Sequence, residues 1–156
     1  MSDKNHTLID QSLDEISSVL KGRKYSKQVF TAHNHFDSVV KLVPDNPRAS
    51  SIELAQMGDL GIRFFAGKAT AVELYINNKS PAVSVLNTLR ELVEGVVEGK
   101  FIESVWLSGT KVTRYYSELK LSNKLMSFRD CNLPAYLFLR STKQTSNYEE
   151  WSRIES

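Results

Sequence analysis

The sequence has one cysteine, few glycines and prolines, and no long apolar run. Because Cys131 stands alone among 156 residues, an internal disulfide, a CxxC redox pair and a cysteine-rich zinc site are all excluded. No stretch approaches the ~20 consecutive apolar residues of a membrane span, and the amino terminus lacks the basic and apolar regions of a secretory signal. These absences predict a cytoplasmic protein that does not associate with membranes.

The composition is that of an average globular protein. Apolar residues make up 41% of the chain and charged residues 24%, and the length of 156 residues is typical of one domain. We therefore expect a single domain over residues 1–156. The 20 basic and 18 acidic residues give a formal charge of +2, which is far weaker than the imbalance of a dedicated nucleic-acid-binding protein.

Two helices and three strands are predicted in the first half of the chain. Residues 7–21 repeat apolar side chains at helical spacing after Thr7, a good N-cap. Residues 26–43 repeat them in a similar way until Pro44, which ends helices. Over residues 52–76 the period changes to two, and the short links between the apolar runs predict three antiparallel strands.

A third helix, over residues 80–98, is the most sharply bounded element of the sequence. Ser80 suits the N-cap, Pro81 the first helical position and Gly99 the left-handed terminator. Its wide apolar stripe predicts that it packs on a sheet. Gly95, inside the helix, indicates either close backbone packing or a tolerated defect of ~1 kcal/mol relative to alanine.

The last third of the chain is predicted to consist of strands and a tail. Period-two patterns indicate four strands, over residues 101–107, 110–121, 124–129 and 135–140. Residues 141–147 are polar and indicate a loop, and residues 148–151 indicate a final turn that docks through its aromatic side chains. The tail 141–156 is therefore expected to be partly loop-like. Overall, the pattern predicts an α+β fold with two amino-terminal helices, about seven strands in a largely antiparallel sheet, and one central amphipathic helix packed on it.

The side chains with catalytic or ligand chemistry form no established motif. His33 and His35 lie two residues apart, and on a helix that spacing points them in different directions, so we assign no metal site. Cys131 has no surrounding nucleophile signature and is interpreted as a small packed side chain. We assign no catalytic residue and no cofactor, although an enzyme whose site is assembled from distant segments stays an alternative.

Two charged surfaces are candidates for binding. Glu91, Glu94 and Glu98 are spaced along one face of the central helix, and we call them the acidic ridge. The carboxy-terminal strands are locally basic, with the candidates Lys111, Lys120 and Lys124 near Tyr115 and Tyr116.

The expected function is therefore non-enzymatic binding of another protein. The acidic ridge is the candidate partner surface, and a stoichiometric inhibitor of the toxin-immunity kind is one concrete form, because such a protein needs only a complementary surface. The alternative is single-stranded nucleic-acid binding through the three basic candidates.

Overall fold

The computed structural model describes residues 7–31, 38–132 and 140–155, and this part of the chain forms two helices and nine strands. In chain order they are α1 (Leu8–Leu20), β1 (Tyr25–Thr31), β2 (Ser38–Pro44), β3 (Ile52–Gln56), β4 (Gly61–Ala66), β5 (Thr70–Tyr75), α2 (Ala82–Val97), β6 (Phe101–Ser108), β7 (Lys111–Lys120), β8 (Leu125–Cys131) and β9 (Thr142–Asn147). All named strand pairs are antiparallel, and they form a sheet ordered β1-β2-β3-β4-β5 and a second sheet ordered β8-β7-β6-β9. The predicted α+β class with antiparallel strands is confirmed. The prediction of one sheet with about seven strands is wrong, because the described residues form nine strands in two sheets.

Helix α1 begins where the sequence predicts. The Thr7 hydroxyl accepts a hydrogen bond from the Asp10 N–H at 3.3 Å, and the Asp10 carboxylate accepts one from the Thr7 N–H at 3.3 Å. This reciprocal capping box satisfies two amides that have no partner inside the helix. The buried side of α1 includes Ile9, Ile16 and Leu20, and it packs beside α2 over the first sheet.

The second predicted helix, over residues 26–43, is wrong. This part of the chain contains β1 and β2, which pair antiparallel from Tyr25 opposite Pro44 to Thr31 opposite Ser38. The sequence misled because Val39 and Val40 are both buried: a strand covered on both faces loses its period-two pattern. Residues 32–37, which carry His33 and His35, lie outside the described residues.

The three strands predicted over residues 52–76 are confirmed as β3, β4 and β5, which continue the meander of the first sheet. Leu42, Leu54 and Phe64 share its helix-facing side and are fully buried beneath α1 and α2. The opposite side carries mixed polar and apolar residues such as Lys41, Glu53 and Phe65.

The predicted central helix is confirmed as one continuous element, although its start differs. It begins at Ala82 with Pro81 in the N-cap position, so Ser80 is not the N-cap. Gly99 terminates it at φ +71°, a conformation that favours glycine. A Cβ on Gly95 would lie 2.6 Å from Leu119 Cδ2, which shows that Gly95 allows close packing against the second sheet.

The second sheet confirms the predicted strands over residues 101–107, 110–121 and 124–129 as β6, β7 and β8. The predicted strand over residues 135–140 lies outside the described residues except for Arg140, which has no regular structure. Residues 142–147, predicted as a loop, form β9 along the edge of β6. Their polar side chains gave no apolar pattern, because the strand is held by backbone pairing and by a 2.9 Å bond between the Ser104 and Thr145 hydroxyls.

The segment after β9 docks on the body through its aromatics, as predicted, although it forms no helical turn. Trp151 is fully buried and its Nε1–H donates to the Ser50 carbonyl at 2.9 Å. Tyr148 stacks on Phe101 with 5.0 Å between ring centroids. The segment thus joins both sheets. Neither of the two described helices has the length and apolar character needed to cross a membrane.

Candidate functional site

Strand β1 is the exposed edge of the first sheet. Each side chain from Tyr25 to Phe30 is exposed, with Val29 at 61% and Phe30 at 41% of their full accessibility. The neighbouring strand β2 is mostly buried. Large apolar side chains on a strand that has one neighbour among the described strands form a surface suited to association rather than to solvation.

The backbone of β1 also has a row of groups directed away from the sheet. The Asp45 N–H donates to the Lys24 carbonyl at 3.1 Å, which fixes the phase of the ladder. Because bonded and non-bonded pairs alternate between antiparallel strands, Gln28 exchanges its backbone hydrogen bonds with β2, whereas the N–H and C=O of Lys27 and Val29 point outward. Among the described residues, no other strand pairs with this edge.

A groove of about 490 Å³ runs between β1 and α1. Its lining is partly apolar, with Leu13 and Tyr25 among the contributors, and carries two ammonium groups from Lys21 and Lys27 but no carboxylate among its lining residues. The groove therefore favours apolar side chains accompanied by an acidic one.

The start of β1 is held rigidly by the carboxy-terminal segment. The Lys24 N–H donates to the Ser152 carbonyl at 2.8 Å. The Arg23 guanidinium is buried, donates to the Trp151 carbonyl at 2.7 Å and pairs with Glu150 at 3.2 Å. An edge strand fixed in this way presents its outward groups in a preformed geometry, which reduces the entropy lost on binding.

The structure places the acidic ridge along α2 beside basic side chains of the same chain. Glu91 pairs with Lys124 at 2.6 Å and Glu98 pairs with Lys100 at 2.9 Å. Glu94 is exposed between them. Because two of the three carboxylates have intramolecular partners, the ridge carries a weaker field than its sequence suggests.

The three basic candidates are not brought together. Lys111 and Lys120 lie at opposite ends of β7, a ten-residue strand that spans roughly 30 Å between them. Lys124 lies in the turn before β8 and pairs with Glu91. Tyr115 and Tyr116 point to opposite faces, as expected, with Tyr115 buried and donating to the Ala71 carbonyl at 3.2 Å.

Sequence reasoning missed the most enclosed carboxylate of the described residues, Glu103. It is 1% exposed and accepts hydrogen bonds from the N–H groups of Lys68 (2.7 Å), Ala69 (3.1 Å) and Thr70 (2.9 Å). Hydroxyl groups of Thr70 and Tyr148 donate at 2.6 and 3.1 Å. Its lone pairs are occupied by donors from the β4–β5 turn and by the Tyr148 hydroxyl, so this carboxylate ties the two sheets together.

The pKa of the Tyr148 hydroxyl is altered by its burial and by its proximity to Glu103. Burial is the main cause that raises the pKa of Tyr148 above its ordinary value, and the neighbouring Glu103 carboxylate adds to the increase. Glu103 gave no signal in the sequence because three of its five donors are backbone groups of a turn 33–35 residues earlier, and the Tyr148 hydroxyl lies 45 residues later.

Cys131, the remaining residue considered for chemistry, lies half-buried at the end of β8. It lines an open cleft of about 320 Å³ with Tyr115 and Asp130. Within the described ranges, no group of three histidine, cysteine or acidic side chains is arranged to hold a metal ion.

The chain matches no family model, no curated protein and no solved structure in the three comparisons with known proteins.

Proposed function

We propose that this protein is a protein-binding module that takes up an extended segment of its partner along β1. The observation that carries the proposal is that the side chains from Tyr25 to Phe30 are all solvent-exposed in part, Val29 most among the large apolar ones at 61%, beside outward backbone groups at Lys27 and Val29. Strand addition derives affinity from main-chain hydrogen bonds and specificity from alternate side chains. The groove supports the same proposal, because it lies beside the strand and offers contacts to an apolar and acidic segment.

The narrower form of the proposal is a cytoplasmic, stoichiometric inhibitor of the toxin-immunity kind. Its support is that such a protein acts through a complementary surface alone. A single cysteine, Cys131, fits a reducing compartment.

The test uses two substitutions at one position. Val29→Pro removes the outward N–H and places a ring on the edge, yet leaves the ladder with β2 intact. Val29→Thr is the matched control, since it keeps the N–H and the β-branched shape. Peptides selected from a displayed random library on the wild-type protein would then be synthesised and titrated against all three proteins by fluorescence anisotropy.

We expect Val29→Pro to weaken peptide binding at least ~10-fold, which corresponds to about one or two lost hydrogen bonds, and Val29→Thr to retain it. Hydrogen exchange gives an internal check: the amides of Lys27 and Val29 should become protected on binding, whereas Gln28 is already protected. Selected peptides that bind the proline variant as tightly as wild type, or a library that yields no binder, would refute the proposal.

A further inference from the structure

The second sheet has a solvent-facing side that differs in chemistry from β1. The register of its four strands places a set of side chains on this side, which we call the outer face: Ile102, Ser104 and Trp106 from β6, Arg114, Tyr116, Glu118 and Lys120 from β7, Leu125, Ser127, Arg129 and Cys131 from β8, and Lys143, Thr145 and Asn147 from β9. Its aromatic side chains lie on the middle strands β6 and β7, and its cations lie on β7, β8 and β9.

One cross-strand row centres on Trp106. Its partners in register are Arg114 on β7 and Lys143 on β9. The Arg114 Cζ lies 4.4 Å from the Trp106 ring centroid and the Lys143 Nζ lies 5.3 Å from it. The indole therefore holds two cations at fixed positions through cation–π attraction, although the side chain keeps part of its surface exposed.

The next row repeats the combination. Arg129, which is exposed, lies opposite Tyr116 in the register. The Tyr116 hydroxyl donates to the Glu118 carboxylate at 2.7 Å, which fixes the ring. Among the residues that define the outer face, Glu118 is the single carboxylate, whereas Arg114, Lys120, Arg129 and Lys143 are cations. The face is therefore predominantly positive, whereas the whole chain is nearly balanced, with 20 basic and 18 acidic residues.

We propose that the outer face binds single-stranded nucleic acid. The exposed cations contact phosphates, and unstacked bases pack against the aromatic rows at Trp106 and Tyr116. Half-buried rings on a sheet surface suit bases that are splayed out. Because every base has a face that can stack, such binding does not require a particular nucleotide sequence. This site goes beyond the proposed function and lies on the other sheet from β1.

The structure also revises which residues are relevant to such binding. Among the basic residues suggested by the sequence, Lys120 belongs to the outer face, whereas Lys124 is paired with Glu91 on α2. Trp106 and Lys143 come together only through the pairing of β6 with β9, a strand that the sequence did not predict.

The experiment titrates the protein against fluorescein-labelled oligo-dT and oligo-U of about twelve nucleotides, between about 50 and 200 mM salt. The double variant Arg129→Gln/Lys143→Gln removes two cations from the outer face. Lys24→Gln/Lys27→Gln removes two exposed cations near β1 and is the matched control. Circular dichroism and thermal unfolding confirm that the variants remain folded.

We expect the outer-face variant to weaken binding and to flatten the slope of log K against log salt by about 1.4, because each phosphate contact contributes about 0.7 on a single strand. The control should keep the wild-type slope. Trp106→Thr should weaken oligonucleotide binding at least ~5-fold through lost stacking, and should weaken binding of a heparin oligosaccharide, which has no bases, by a smaller factor.

Any of the following results would overturn the proposal. The first is wild-type affinity weaker than about 100 μM at the lowest salt, which is the limit of non-specific binding. The second is an equal loss in the control variant. The third is an unchanged affinity of Trp106→Thr, or equal competition by a duplex of the same length, since neither result is compatible with stacked single-stranded bases.

Discussion

Replacing Glu103 tests how much the joint between the two sheets contributes to stability. In the Glu103→Gln variant the best placement keeps the amide oxygen at the Oε2 position, where it still accepts from Ala69 and Thr70. The new amide nitrogen then faces the Lys68 N–H, which lies 2.7 Å from Oε1 in the wild type. The new amide NH₂ and the Lys68 N–H are both donors, so no hydrogen bond forms between them. The Tyr148 hydroxyl rotates and accepts a hydrogen bond from the new amide NH₂.

The cost follows from this geometry. One charge-assisted backbone hydrogen bond is lost and a donor is left without an acceptor, which destabilises by ~2–3 kcal/mol. Glu103→Ala removes the acceptor for all three amides, of which the Thr70 N–H is buried, and should cost ~4–5 kcal/mol. For a domain of this size ~1 kcal/mol shifts Tm by ~2–4 °C. We therefore expect the Tm to fall by ~4–12 °C in Glu103→Gln and by ~8–20 °C in Glu103→Ala.

Urea unfolding followed by tryptophan fluorescence, together with calorimetry, measures both variants. Glu94→Gln is the matched control, because Glu94 is exposed on α2 and its neutralisation should change stability by less than ~0.5 kcal/mol. If Glu103→Gln unfolds within that same margin of the wild type, the argument that the saturated carboxylate joins the sheets is refuted.

Three further predictions follow from other parts of the structure. Gly95→Ala should destabilise by ~1 kcal/mol in urea unfolding, because its Cβ would meet Leu119 and the clash outweighs the gain in helix propensity; increased stability would contradict this. The pKa of Tyr148 is raised in the folded state. The protonated hydroxyl therefore contributes fully to the free energy of unfolding below the unfolded-state pKa of about 10, and this contribution is lost as the pH rises from there through the folded-state pKa. Tyr148→Phe should therefore make the free energy of unfolding less dependent on pH above 10. The same pH dependence in the variant and the wild type would contradict this prediction. Replacing the three glutamates of the acidic ridge by glutamine should leave the affinity for the library-selected peptides within ~2-fold of the wild type. Slower association of these peptides at low salt in stopped-flow measurements would instead indicate that they bind at α2.

The elements that bury one face were predicted correctly from the sequence. The prediction was wrong for a strand that is buried on both faces. Helices α1 and α2 each bury one stripe, so spacing identified both. In β2, by contrast, Val39 and Val40 are buried on opposite faces, and the pattern resembled a helix. Pro44 added to the error, because a proline at the end of a strand, in a non-bonded pair opposite Tyr25, costs no ladder bond.

The candidate sites depended on contacts that a sequence does not display. Val29 is exposed because β1 lies at the edge of its sheet. The order of strands in a sheet cannot be inferred from local periodicity. The row of Trp106 and Lys143 requires β9, a polar strand whose pairing with β6 is long-range. The spacing of Glu91, Glu94 and Glu98 along one helix face was predictable, but the pairing of Glu91 with Lys124 on another element was not.

The position of Trp151 has a consequence for how the protein is made. Its side chain fills the core of the first sheet, its backbone binds Val97 and Arg23, and its indole binds Ser50. A ribosome releases the chain from its amino terminus, so α1, the whole β1–β5 meander and α2 emerge before this side chain is available. We expect the nascent chain to expose an incompletely filled core until residue 151 has left the exit tunnel, and the contacts of Trp151 to form only after that point.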